Sequence, residues 1–333
     1  AFYIEGGSLA VENALKAAFD WKARKNLSEG KKIPKNLVVH LKDCFHGRSG
    51  YTMSLTDSPD PRKVQYFPKF DWPRITNPAM VFPMNEENTN KVIELEKRSI
   101  EELKTVLHDN PDDVACLILE PIQGEGGDNH FRSEYFKALK TLSLENDFLL
   151  VYDEVQTGVG ITGKMWVHQH FDLPECEPDI ISFGKKTQCC GIFAGNRLNE
   201  VDDHVFKESS RINSTFGGNL VDMVRFTIYL ELIEREGLVD AASLNGDYLL
   251  TCLSDLQDKY SGLMSNSRGK GLFCAFDLPT PEQRDNLITI MEELGVLILG
   301  CGHRSIRFRP HLNIKKGDID IGISMIGNAL SQL

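Results

Sequence analysis

The chain reads as an α/β protein, with a mostly parallel sheet flanked by helices and a smaller α+β domain behind it. Two observations predict this. Short apolar runs without polar alternation, the pattern of strands covered on both faces, alternate with helical patterns of apolar spacing through the first two thirds. After about Asn219 that rhythm gives way to longer helices and isolated strands. The expected boundaries are a large domain over 1–219, then a connecting helix and small domain over 220–333.

The elements follow in chain order. Glu5-Gly6-Gly7-Ser8 precedes LAVENALKAAFDWK, an amphipathic helix that Ser8 is placed to cap. Glycines and a serine at such an N-terminus leave backbone N–H groups free at the positive end of the helix dipole, a seat for phosphate. Strands are expected at Leu37–Leu41, Val114–Leu119, Phe148–Tyr152 and Asp179–Phe183, with helices at Asn90–His108 and Ser133–Asn146 between them. The Pro-rich stretch from Ser58 to Pro83 reads as an ordered excursion anchored by Tyr66, Phe67, Phe70, Trp72 and Phe82. Further on, helices are expected at Leu220–Glu236, Ala241–Tyr260 and Glu282–Leu294. Strands are expected at Gly271–Leu278, Val296–Leu299 and Ile306–Phe308.

Composition excludes several classes of function. With 333 residues, 41% of them apolar, the chain can build a large core. A formal net charge of −11 without a dense Lys/Arg block argues against a nucleic-acid surface. No run of about 18 apolar residues could span a bilayer, so a cytoplasmic protein is expected. Eight cysteines form no Cys-x-x-Cys and read as buried free thiols. Nine histidines show no ligand spacing and no HExxH, so no metal is expected.

Ligands of open α/β sheets bind beyond the carboxyl ends of the strands. Three such ends carry ionisable groups: Glu120, Asp153-Glu154, and Lys185 in Phe183-Gly184-Lys185-Lys186-Thr187-Gln188. Each alone reads as a cap or turn residue, but together they point to a site. Gly158-Val159-Gly160-Ile161-Thr162-Gly163-Lys164 satisfies GxGxxG and nearly a P-loop. Met165 stands where magnesium needs a hydroxyl, and Gly158 lies past the strand end, so this is expected to be a flexible loop beside the site. A lysine, an aspartate and a phosphate seat on one rim suit pyridoxal phosphate, whose aldehyde takes an amine and whose ring nitrogen takes a carboxylate.

Motifs across nearly the whole chain carry a family resemblance: EGGSLAVENALKAAFDW, CFHGRSGYTMSLT, LILEPIQGEGGDNHF, VYDEVQTGVGITGKMW, FGKKTQ, NSTFGGN and SIRFRP. The chain resembles the class III (ornithine/4-aminobutyrate-type) pyridoxal-phosphate aminotransferases, which have the fold-type I architecture. Within them it is most similar to members acting on the ε-amine of L-lysine. The resemblance implies that Lys185 forms the Schiff base, Asp153 pairs with the ring nitrogen, Gln156 contacts the phenolic oxygen, and Phe45 stacks on the ring beside His46. Gly7 and Ser8 would hold the phosphate, with Thr215 reaching across from the second subunit of a homodimer. Arg48 would bind the α-carboxylate of lysine, with Asn213 also at the substrate. Arg307 would bind 2-oxoglutarate and otherwise pair with Glu125, a gate between the two half-reactions. Arg309 is expected on the opposite face from Arg307, and Lys186 is expected to turn away from the pocket toward a nearby acid.

The implied reaction moves the ε-amino group of L-lysine to 2-oxoglutarate, giving 2-aminoadipate 6-semialdehyde and L-glutamate. A 4-aminobutyrate or other ω-amino acid aminotransferase is the alternative; the Cys-x-x-Cys of the animal 4-aminobutyrate enzymes is absent. A silent binding protein on the same fold is the reading from another class, and the presence of Lys185 and Asp153 disfavours it. Family members carry a sizeable segment before the phosphate helix, so the chain is expected to be truncated at its N-terminus.

Overall fold

A computed structural model describes residues 1–171 and 173–333. In chain order the elements are β1 (Phe2–Ile4), α1 (Gly7–Ser28), β2 (Leu37–Leu41), α2 (Thr52–Leu55), β3 (Arg74–Ile75), α3 (Glu86–Asp109), β4 (Val114–Leu119), β5 (Ile122–Gln123), β6 (Asn129–His130), α4 (Ser133–Glu145) and β7 (Leu149–Asp153). There follow β8 (Ile180–Phe183), β9 (Cys190–Ala194), α5 (Leu220–Arg235), α6 (Leu238–Lys259), β10 (Ser265–Lys270), β11 (Phe273–Asp277), α7 (Pro281–Glu293), β12 (Leu299–Cys301), β13 (Ser305–Phe308) and α8 (Lys316–Leu330).

The large sheet has strand order β1-β9-β8-β7-β4-β2-β3. From β3 to β8 its neighbours are parallel, while β9 pairs antiparallel with both β8 and the edge strand β1. Both faces are covered, which is why its strands lack polar alternation. On one face Val38, Cys116, Ile118, Leu149 and Val151 pack against Ala14, Leu15, Ala18 and Trp21 of α1. On the other, Val39, Leu117, Leu119, Leu150 and Tyr152 pack against Leu103 of α3 and Tyr135, Phe136 and Leu139 of α4. Each of these large side chains stabilises by about 1.5–3 kcal/mol on burial, so both helical layers are held firmly on the sheet.

The second sheet, β10-β11-β13-β12, is antiparallel, and α6, α7 and α8 cover it through Leu253, Leu256, Leu287, Met291 and Ile326. Arg268 ties it to a small two-stranded sheet formed by β5 and β6. This buried side chain donates to the carbonyls of Gly127 and Asp128 and pairs with Asp277 at 2.9 Å. Among the described residues no helix is long and apolar enough to cross a membrane.

Several expectations need correction. The strand expected at Phe148–Tyr152 runs one residue later and ends on Asp153, and the one expected at Val296–Leu299 begins only at Leu299. Helix α1 starts at Gly7 with Gly6 as its cap, and the Ser8 hydroxyl bonds Ser49 and Thr52 instead of capping. Within the excursion, Phe70 and Trp72 stack and Trp72 meets Phe19, but Tyr66 is 95% exposed and anchors nothing. The loop at 158–164 is no free flap. Val159, Ile161 and Thr162 are buried, and the Ile161 carbonyl accepts from Leu272 N–H at the second sheet.

Candidate active site

One cavity opens beyond the carboxyl ends of β2, β4, β7 and β8. Gly7, Phe45, His46, Gly47, Glu120, Ile122, Asp153, Val155, Gln156, Thr157 and Lys185 line it. Parallel pairing of β4, β7 and β8 puts Glu120, Asp153 and Lys185 at one edge, because each follows or ends a strand in the same direction. Glycines set the spacing of this wall. A Cβ on Gly7 would come within 2.6 Å of Val155 Cγ1, so α1 can meet the end of β7 only through a glycine. A Cβ on Gly124 would reach Gln156 Oε1 at 2.2 Å.

Asp153 is buried and held at both oxygens. Oδ1 accepts from Val155 N–H at 3.1 Å and from the Ser182 hydroxyl at 3.0 Å, and Oδ2 pairs with His46 Nδ1 at 2.8 Å. Burial opposes charge on the His46 ring, yet the Cys44 sulfur and the Asp153 carboxylate lift its pKa well above the usual value. The other ring nitrogen, Nε2, is buried without a partner among the described residues. Glu120 spans the site from beneath: its carboxylate accepts from Phe45 N–H at 3.0 Å and Gly124 N–H at 3.1 Å. Burial pushes its pKa up to about 7.

Lys185 begins a short turn after Gly184 in the left-handed region, with φ of 54°. The Lys185 residue is exposed overall, yet desolvation where the amine faces the cavity lowers its pKa, with Arg307 and Arg309 adding to the effect against Asp153 and Glu120. Lys186 does not turn toward an acid. Its Nζ donates to the Gln156 carbonyl at 2.6 Å, and burial, Arg309 and Lys185 bring its pKa down to about 7. Both lysines line a second, adjoining cavity with Gln156, Arg307 and Arg309.

Arg307 lies on β13, where Nη2 meets Glu125 Oε2 at 3.1 Å while Nε and Nη1 are buried without partners among the described residues. Arg309 is not on the opposite side of the site. Side chains two residues apart in an extended chain share a face, so Arg309, just past the end of the strand, follows Arg307 into the same cavity. Its Nε and Nη2 donate to Gln156 Oε1 at 3.1 and 2.9 Å, and its guanidinium pairs with the buried Asp128. A guanidinium has no acceptor, so Gln156 must turn its oxygen to Arg309 and its NH₂ elsewhere. Arg48 is exposed and makes no ion pair among the described residues. Asn213 and Thr215 sit on an exposed turn and do not line the cavity around Lys185. Sequence reasoning set Arg309 aside and passed over Asp128 and Lys63. Arg309 and Asp128 both carried a signal, their places in SIRFRP and LILEPIQGEGGDNHF, and Lys63 carried none.

The cavity thus joins an amine of lowered pKa, a firmly held carboxylate, an aromatic face and a helix N-terminus with free N–H groups. The chain belongs to the class-III aminotransferases: the Aminotransferase class-III family profile matches residues 1–330. It is an aminotransferase whose cofactor is pyridoxal 5′-phosphate. Among relatives, the L-lysine-epsilon aminotransferase of Mycobacterium tuberculosis is 48% identical over 99% of this chain and 72% of its own length. The structure of the lysine aminotransferase from that organism superposes with a TM-score of 0.95 and 48% identity, covering 99% of this chain and 75% of the other. The 4-aminobutyrate aminotransferase of Dictyostelium discoideum is 36% identical over 90% of this chain and 59% of its own length.

The residues present fit the cofactor. The orphaned His46 Nε2, the glycine at position 7 and the carboxylate of Asp153 at the cavity floor give a donor set suited to a phosphorylated pyridine aldehyde.

Proposed function

We propose that the protein transfers the ε-amino group of L-lysine to 2-oxoglutarate, giving 2-aminoadipate 6-semialdehyde, which cyclises, and L-glutamate. The observation that carries the two-substrate reading is Arg307: one N–H group holds Glu125 and two others are buried and unsatisfied. Such a fork suits a carboxylate that arrives and leaves. Kinship at 48% with lysine enzymes, against 36% with a 4-aminobutyrate enzyme, supports lysine as donor.

Pyridoxal phosphate, when bound, supplies an aldehyde that condenses with amines and a protonated ring that draws electrons from the adjacent C–H bond. Lys185 is the residue that would hold the cofactor, and its free Nζ would be the base that takes the proton from the substrate ε-carbon. The lowering of its pKa favours the neutral amine that a base requires. Asp153, clamped by Val155, Ser182 and His46, presents its charge to the ring nitrogen. Gln156 would offer its NH₂ to the phenolic oxygen, and Phe45 would cover the ring. Gly7 and Ser8 seat the phosphate, through backbone N–H groups more than the Ser8 hydroxyl, which is taken up by Ser49 and Thr52. Arg48 receives the α-carboxylate of lysine, so that the ε-amine reaches the cavity. A homodimer would bring Thr215 and Asn213, exposed here, to the neighbouring subunit's phosphate and substrate, in a cytoplasmic enzyme.

A panel of amine donors with 2-oxoglutarate as acceptor tests this on the holoenzyme. L-Lysine is expected to yield glutamate and the cyclised semialdehyde, and 4-aminobutyrate is not. Turnover of 4-aminobutyrate without turnover of lysine would overturn the assignment.

A further inference from the structure

Glu125 is shared between two cations. Oε2 meets Arg307 Nη2 at 3.1 Å, while Oε1 is held by Lys63 Nζ. Lys63 comes from a different part of the chain, a short turn at Pro61–Lys63 whose start is fixed by the Asp60 carboxylate accepting from Arg62 N–H. Its ammonium also lies 5.8 Å from the centre of the Phe45 ring, so it reaches inward over the site. All three side chains are partly shielded: Lys63 is 25% exposed, Glu125 22% and Arg307 14%. The main chain of Glu125 is pinned separately, its carbonyl accepting from Gly302 N–H at 2.8 Å, so the carboxylate can shift while the loop stays.

The count of charges is informative. Two cations and one carboxylate leave the trio with one uncompensated positive charge. A second carboxylate entering at Arg307 balances it, provided Glu125 keeps a cation of its own. We propose that Lys63 is a specificity-determining residue: it retains Glu125 when Arg307 turns to the carboxylate of an incoming 2-oxo dicarboxylate. Without it, freeing Arg307 would strand Glu125, and a partly buried carboxylate with no partner is costly. Both cations hold the Glu125 carboxyl below its usual pKa against the effect of burial, in keeping with an anion that stays charged whichever partner it has. When the amine donor is bound, the trio stays intact and Lys63 has no task. Its effect therefore falls on one half-reaction only.

The inference rests on the reading of Glu125 and Arg307 as a gate, and the experiment separates the two. Lys63→Met, Lys63→Arg, Glu125→Gln and the double variant Lys63→Met/Glu125→Gln are compared as holoenzymes. KM is measured separately for 2-oxoglutarate and L-lysine, and binding of glutarate, which has both carboxylates but no reacting carbonyl, is followed by titration calorimetry. Lys63→Met is expected to raise KM for 2-oxoglutarate and weaken glutarate about five- to tenfold, the scale of a partly shielded ion pair, with KM for lysine moving less than about twofold. Lys63→Arg is expected to restore both. In the Glu125→Gln background, Lys63→Met is expected to add nothing.

If Lys63→Met costs as much in the Glu125→Gln background as in the parent, the amine acts on substrate directly and the proposal is overturned. If it leaves glutarate and 2-oxoglutarate unmoved while Glu125→Gln alters them, the gate stands and Lys63 has no part in it. If Glu125→Gln alters neither substrate's KM, the gate reading fails and the role of Lys63 falls with it.

Discussion

Replacing Asp153 with Asn probes the charge at the cavity floor with almost no change of shape. In the parent, Oδ1 accepts from Val155 N–H and the Ser182 hydroxyl, and Oδ2 receives His46 Nδ1 at 2.8 Å. An asparagine can keep the first two bonds, but its NH₂ then faces a ring nitrogen that carries a proton. His46 must lose that proton, and its pKa, now well above the usual value, is expected to fall. Losing a buried charge-assisted hydrogen bond costs about 1.5–3 kcal/mol in stability. The effect on chemistry follows from charge: a carboxylate in contact raises the pKa of a partner cation by about 1–3 units, and each unit is a factor of ten. The donor half-reaction is therefore expected to slow by about ten- to a thousandfold, read as the loss of the cofactor's absorbance after mixing with L-lysine. His46 is followed in parallel by NMR titration. A variant that keeps its half-reaction rate within about threefold, with the His46 titration unchanged, would refute the electrostatic account.

Gly7→Ala would drive a Cβ to within 2.6 Å of Val155 Cγ1, so overpacking of about 1–3 kcal/mol should push the start of α1 outward. Titration of the apoprotein with pyridoxal phosphate should show weakened binding. Arg309→Met would leave the buried Asp128 without its guanidinium, and urea unfolding should register a loss of about 3–5 kcal/mol; a loss under about 1 kcal/mol would contradict the pairing. Lys186 titrates near 7 when folded and near 10.5 when unfolded, so between those values the unfolded chain holds the extra proton. Its contribution to stability therefore rises with pH across that window and is flat below it, and Lys186→Met should remove that part of the slope.

The parallel core was legible because its strands are uniformly apolar and lie between helices of clear period, as in Val114–Leu119 and Leu149–Asp153. Ser265–Lys270 was missed for the opposite reason: SNSRGK is polar, and its one buried side chain, Arg268, is there to tie two sheets together. The terminal helix Lys316–Leu330 and the strand Cys190–Ala194 also went unread. At the site, groups standing at strand ends were visible because local pattern puts them there. Lys63 and Asp128 meet their partners across 62 and 181 residues of chain, a proximity no local pattern encodes. Arg309 was misplaced against the strand period itself: positions two apart in an extended chain share a face, and the pair Arg307 and Arg309 obeys that period.

The central claim is that Lys185, and not its neighbour, holds the cofactor. Borohydride reduction of the holoenzyme followed by peptide mapping tests it directly. A pyridoxyl group on Lys185 alone is the predicted result, and a label on Lys186, or none in the Phe183–Gln188 segment, would contradict it.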